Sequence, residues 1–134
     1  MSFLQFNHLH ILTVAVLQWL LGALWYSPVL FAKPWSAMVD VPSEAKKNRM
    51  ILGMIASFVG NLVLSFLLMH VLWWAGGDSL KRGAFVGFVL WAGFIFAPLS
   101  AQYIYEGRPF KLFAINTGYW LIALSASGAL LARW

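Results

Sequence analysis

Cysteine is absent from this sequence. No disulfide, thiolate nucleophile or cysteine-held metal is therefore available to it. Charge is also scarce: only 10% of the 134 residues are Asp, Glu, Lys or Arg, against about a quarter in soluble domains. Acids are the scarcest of all, four in number, and none falls inside a long apolar run. That argues against a proton-coupled transporter, which relies on intramembrane carboxylate or histidine relays, and against a cation pore ringed by carboxylates. The first residues, Met1 to His8, carry no basic cluster, and the apolar run behind them is too long for a signal h-region. The expectation is no cleaved signal peptide and a retained first span.

What the chain has instead is oil: 62% of it is hydrophobic and 17% aromatic, with eight tryptophans. A water-soluble protein of this size has too little interior to hide so much apolar surface; lipid removes the problem. Four stretches approach the ~20 apolar residues needed to cross a bilayer, at about 9–31, 50–74, 83–105 and 110–131. The fold expected is a single domain over 1–134, an all-α integral membrane protein of four antiparallel transmembrane helices in a bundle. The net charge of +5 comes from bases that flank the apolar runs. That placement suits anionic lipid headgroups and does not call for nucleic acid.

The connections can be read in order. Pro28 either kinks the last turn of the first span or marks its exit. Pro34 to Val39 reads as a short interfacial helix anchored by Trp35. Asp40 or Ser43 is expected to cap the second helix, with Pro42 in its first turn and Lys46, Lys47 and Arg49 on a stub outside the hydrocarbon. Ala75 to Arg82 is a short turn. At Glu106-Gly107-Arg108-Pro109 the glycine suits a helix end and the proline a helix start. This hairpin organises the reading, because Asn116, Thr117, Tyr119 and Trp120 descend from it into the last span. The loops carrying Lys33, Lys46, Lys47, Arg49, Arg108 and Lys111 outweigh the opposite side's Lys81, Arg82 and Arg133. The positive-inside rule then puts loops 32–49 and 106–109 in the cytoplasm and the termini outside.

Two groups of residues carry what chemistry there is. In the second and third spans, Gly53, Ser57, Gly60, Gly83 and Gly87 have the small-xxx-small spacing that lets helix backbones approach closely. Asn61 is spaced to share a face with Ser57 and Ser65. These faces are compatible with a homodimer or other homo-oligomer and with a membrane-protein partner. The second group gathers at the hairpin end: Trp25, Tyr26 and Trp35 from the early chain, Gln102, Glu106, Arg108, Asn116, Tyr119 and Trp120 from the late chain. Together they make a candidate lipid- or ligand-binding cluster with an aromatic wall, an amide and a charged rim. The plainer reading is that the same groups tie the helices together, since polar groups in hydrocarbon must bond to something. Glu106 and Arg108 offer no second acid or nucleophile at useful spacing, so no catalytic residue is assigned. His8, His10 and His70 lie toward the other end, but His8 and His10 point to different sides of a helix. No metal site and no cofactor is expected.

Gly22-Ala23-Leu24-Trp25-Tyr26-Ser27-Pro28 with Phe31 and Trp35, then Glu106-Gly107-Arg108-Pro109 and Asn116-x-Gly118-Tyr119-Trp120, resemble the family called domain of unknown function 1761. Asn7 fits its pattern as well. The likeness runs over nearly the whole chain and implies a small four-span protein of the bacterial inner membrane. It brings no activity or catalytic residue with it. The functional expectation is a non-enzymatic interaction, accessory or lipid-binding protein; the alternative is a small-solute or lipid-like carrier, with a membrane enzyme third.

Overall fold

Six α-helices and one π-helical turn make up the structure, a computed structural model that describes residues 7–39 and 46–133. They are α1 (His8–Trp25), α2 (Ala32–Met38), α3 (Lys46–Trp74), α4 (Leu80–Trp91), the π turn (Ala92–Phe96), α5 (Ala97–Tyr105) and α6 (Phe110–Arg133). No strand occurs among the described residues. Four helical stretches are long and apolar enough to cross a membrane: His8–Trp25, Lys47–Trp74, Leu80–Tyr105 and Phe110–Arg133. This is the make-up of a multi-pass membrane protein. Its surface, unlike that of a soluble domain, is rich in large apolar side chains, and its interior includes several polar ones. Val29, Phe94, Ile104 and Phe110 are each more than 70% exposed, while Gln18, Asn61, Ser65, Thr117 and Ser127 are buried. In lipid, large apolar side chains gain nothing from hiding, and polar groups need each other.

The helix ends follow local chemistry. Asn7 caps α1, its side-chain oxygen accepting from the backbone N–H groups of Leu9 and His10. Ser79 caps α4 by accepting from Arg82 N–H. Gly76 and Gly107 both adopt φ of +67°, the left-handed conformation that ends helices and that glycine takes without steric cost. At the hairpin, Arg108 N–H closes back on the Tyr103 carbonyl at 3.0 Å, and α6 begins directly after Pro109. The expected caps at Asp40 or Ser43 and the placement of Pro42 lie outside the described residues, as does Trp134.

The end of the first span differs from the sequence expectation. The first span does not run to residue 31. It stops at Trp25, and the chain turns through Ser27, whose N–H and hydroxyl both donate to the Leu24 carbonyl. Pro28 has no N–H with which to carry a helix onward, so it marks an exit. The third span is interrupted beside Pro98, as a proline inside an apolar run predicts. It is α4 and α5 joined by the π turn, which ends two residues before Pro98. A proline leaves the preceding turn without one backbone donor, and a wider turn is one way to absorb that gap.

α6 is the hub. It touches α1, α2, α3, α4 and α5, most extensively α4. The α4–α6 contact is a glycine clasp. A Cβ on Gly83 would run into the Gly128 carbonyl oxygen, and one on Gly87 into the Leu124 carbonyl oxygen; a Cβ on Gly128 would meet the Gly83 carbonyl. Pairing 83 with 128 and 87 with 124 makes the helices antiparallel. Gly83 and Gly87 therefore do pack helix on helix, and they do so within the chain. The second span differs: a Cβ on Gly53 or Gly60 would meet nothing within 4 Å, and Ser57 is exposed on the same helix. Asn61 and Ser65 are buried while Ser57 is not. Each four-residue step drifts about 40° around the helix, enough to carry Ser57 off the covered side.

Candidate functional site

The two distant stretches meet at the hairpin end of the bundle, and they meet by reciprocal fit. Gly22 on α1 leaves room for Tyr119: a Cβ there would lie 3.2 Å from the Tyr119 hydroxyl. Gly118 on α6 leaves room for Trp25, whose ring edge would be 3.4 Å from a Cβ. Each stretch thus carries a glycine beside its aromatic, and each glycine receives the other's ring. Trp25 then packs on Phe31 and Tyr119, with ring centroids at 4.8 and 6.4 Å. Tyr26 sits between Trp35 and Tyr119 at 5.8 and 6.0 Å. Trp120 lies edge-on to Tyr119 at 4.9 Å. Trp35 brings α2 down onto Leu112, Phe113 and Tyr103.

The polar atoms of this cluster bond chiefly to one another. Tyr26 Oη donates to Asn116 Oδ1 at 2.8 Å, and Asn116 Nδ2 donates to Tyr103 Oη at 2.9 Å. Trp25 Nε1 donates to the Ile115 carbonyl at 2.9 Å. Tyr119 Oη donates to the Gln18 carbonyl at 2.9 Å, with the Asn61 amide beside it. Deeper still, Gln18 Nε2 donates to Ser127 Oγ, and Trp91 Nε1 reaches the Thr117 carbonyl at 2.8 Å. Gln18 Oε1 and Ser65 Oγ are buried without a protein partner. A side-chain bond between helices is worth about 1 kcal/mol net. Trp25→Phe drops the Ile115 bond and also empties the Gly118 notch of the indole edge, so it should lower stability in detergent by about 2 kcal/mol, read from the thermal midpoint.

The charged rim stands apart from this. The Arg108 guanidinium lies 4.2 Å from the centroid of the Tyr103 ring, a cation–π arrangement. Its ion pair with Glu106 is long, 3.7 Å, between side chains that are 36% and 41% exposed. Gln102 Nε2 donates to Glu106 Oε1 at 3.2 Å on the exposed surface. The structure therefore brings together Trp25, Tyr26, Trp35, Asn116, Tyr119 and Trp120. Gln102 and Glu106 stay outside, connected to the rest only through Arg108.

The family comparison bears on just these stretches. The model described as protein of unknown function (DUF1761) matches residues 9–132, which takes in both aromatic motifs and the hairpin. The chain belongs to the DUF1761 family. No curated protein and no solved structure matches it.

Within this DUF1761 chain, sequence reasoning overlooked Tyr103 and Gly128. Tyr103 completes the Asn116 bridge and holds Arg108. Its signal was available, since it stands one turn before Gly107 at the same hairpin. Gly128 has Ala132 four residues on, the same spacing as Gly83 and Gly87. Among the described residues no group of three or more His, Asp or Glu side chains is placed to hold a metal ion. His70 Nδ1 is bonded to the Phe66 carbonyl at 2.9 Å, and Phe66 also stacks on His8. These histidines are thus packed into the other end of the α1–α3 pair.

Proposed function

We propose that this DUF1761 protein is a non-enzymatic, lipid-engaging protein of the bacterial inner membrane, in which the aromatic cluster is a latch and the basic end of the bundle meets anionic headgroups. The observation that carries this reading is the division of labour around Tyr103. Its hydroxyl closes the Tyr26–Asn116 bridge inward, while its ring face supports Arg108 outward. The latch groups are committed to neighbouring helices. Arg108 is committed only to a ring face and a long, half-exposed ion pair, and a guanidinium has five N–H donors to offer a phosphate. Lys33, Lys47, Arg49 and Lys111 lie at the same end of the bundle and are exposed. In the proposed orientation this end is cytoplasmic and the termini are outside.

The test is the lipid that stays bound. The full chain, extracted in a mild detergent and delipidated stepwise, should retain anionic phospholipid beyond its share in the starting membrane. Retained lipid that matches the bulk composition would sink the reading, as would a stoichiometric non-lipid cofactor. Reporter fusions placing residue 39 outside the cell would overturn the orientation.

A further inference from the structure

The α1–α3 pair carries a groove on its membrane-facing side, away from the latch. Trp19 of α1 and Ile51, Met54, Ile55 and Phe58 of α3 line about 480 Å³ of space with apolar surface. Its shape is held by Trp19, whose Nε1 donates to the Met54 carbonyl at 3.1 Å and whose ring meets Phe58 edge-on at 5.7 Å. A slot of this kind takes hydrocarbon.

What sets it apart from ordinary lipid-facing surface is the charge at one end. α3 is continuous from Lys46, so positions advance about 100° per residue. With Lys47 set at zero, Ile51, Met54, Ile55 and Phe58 fall at about 40°, 340°, 80° and 20°. Lys47 is exposed and stands one turn beyond Ile51 on the same stripe. Arg49 is exposed too, but at about 200° it is on the other side of the helix. From Lys47 to Phe58 the helix rises about 16 Å, close to the depth of one leaflet. A cation at the headgroup level above a one-leaflet apolar slot matches one molecule, a lipid with an anionic head and an acyl tail.

We propose that this groove binds a single anionic glycerophospholipid, with an acyl chain against Trp19 and Phe58 and its phosphate at the Lys47 ammonium. The proposal rests on the lipid-engaging reading above and narrows it to one position on one helix face.

The test uses the full chain in mixed micelles holding equal amounts of phosphatidylglycerol and phosphatidylcholine, with retained lipid counted by native mass spectrometry. Wild type retains phosphatidylglycerol preferentially. Lys47→Gln lowers that retention about fivefold, the size expected for one basic residue near an anionic surface. Arg49→Gln removes the same charge from the other face and changes it less than about twofold. Ile55→Trp fills the slot with every charge intact and also releases the lipid. Equal losses for Lys47→Gln and Arg49→Gln would overturn the groove and leave general headgroup attraction standing. A wild-type chain with no preference for phosphatidylglycerol would overturn the wider reading as well. A dimer mass that disappears in Ile55→Trp would put a second copy in the groove and overturn the lipid. Should Ile55→Trp not fold, the pair of charge variants decides the matter alone.

Discussion

Gly87→Leu will detach α4 from α6. The side chain would have to occupy space already filled by the Leu124 carbonyl and the Ser125 backbone, and backbone cannot rotate aside as a side chain does. Overpacking usually costs 1–3 kcal/mol; with main chain as the obstacle, a loss of at least about 3 kcal/mol is expected. Unfolding in mixed micelles titrated with a denaturing detergent would measure it. The informative control is Gly60→Leu, one span earlier. A Cβ there meets nothing within 4 Å, so the same substitution should leave stability unchanged. A large loss at Gly60 would mean that the α3 glycine face is covered by something else, a second copy of the chain being the simplest candidate.

Asn116→Leu carries the next largest effect. The amide accepts from Tyr26 and donates to Tyr103, so leucine removes two interhelical bonds and leaves two hydroxyls without partners. Such bonds vary in membranes, and the pair should be worth about 2 kcal/mol. The cause can be isolated by a cycle. In a Tyr26→Phe/Tyr103→Phe background no hydroxyl remains to be orphaned, and Asn116→Leu should then cost little. An equal cost in both backgrounds would mean that Asn116 acts through something other than the bridge. If Asn116→Leu released a bound lipid at unchanged stability, the cluster would be a binding pocket and the latch would be wrong.

These variants also show what the sequence could and could not say. The spans were legible because apolar runs between Gly, Pro and basic residues have one stable use in a bilayer. The hairpin was legible because Gly107 and Pro109 constrain the backbone themselves. The meeting of Trp25 and Tyr26 with Asn116 and Tyr119 followed from helix count alone, since an even number of crossings returns the chain to the same face. Partner choice was not legible. Gly53 and Ser57 have the same four-residue spacing as Gly83 and Gly87, yet one pair faces outward and the other clasps α6. Small-residue spacing says that a backbone can come close; it does not say whose. Tyr103 was hidden for a related reason. It is one aromatic among many in an apolar run, and only the position of α6 turns its hydroxyl into the end of a bridge. The π turn was equally silent, because Pro98 permits a kink, a break or a widened turn with similar ease.

The central position of α6 bears on how the molecule is assembled. A ribosome makes the helices in chain order, and α6 emerges after every helix it contacts. α1 and α3 can settle against each other while synthesis continues, since their contact needs nothing further along the chain. α4 cannot, because its glycine notches fit a carbonyl ridge that does not yet exist. For that interval the third crossing stands in the bilayer as a helix without its counterpart, and α6, made after every helix it contacts, is the one that locks the rest.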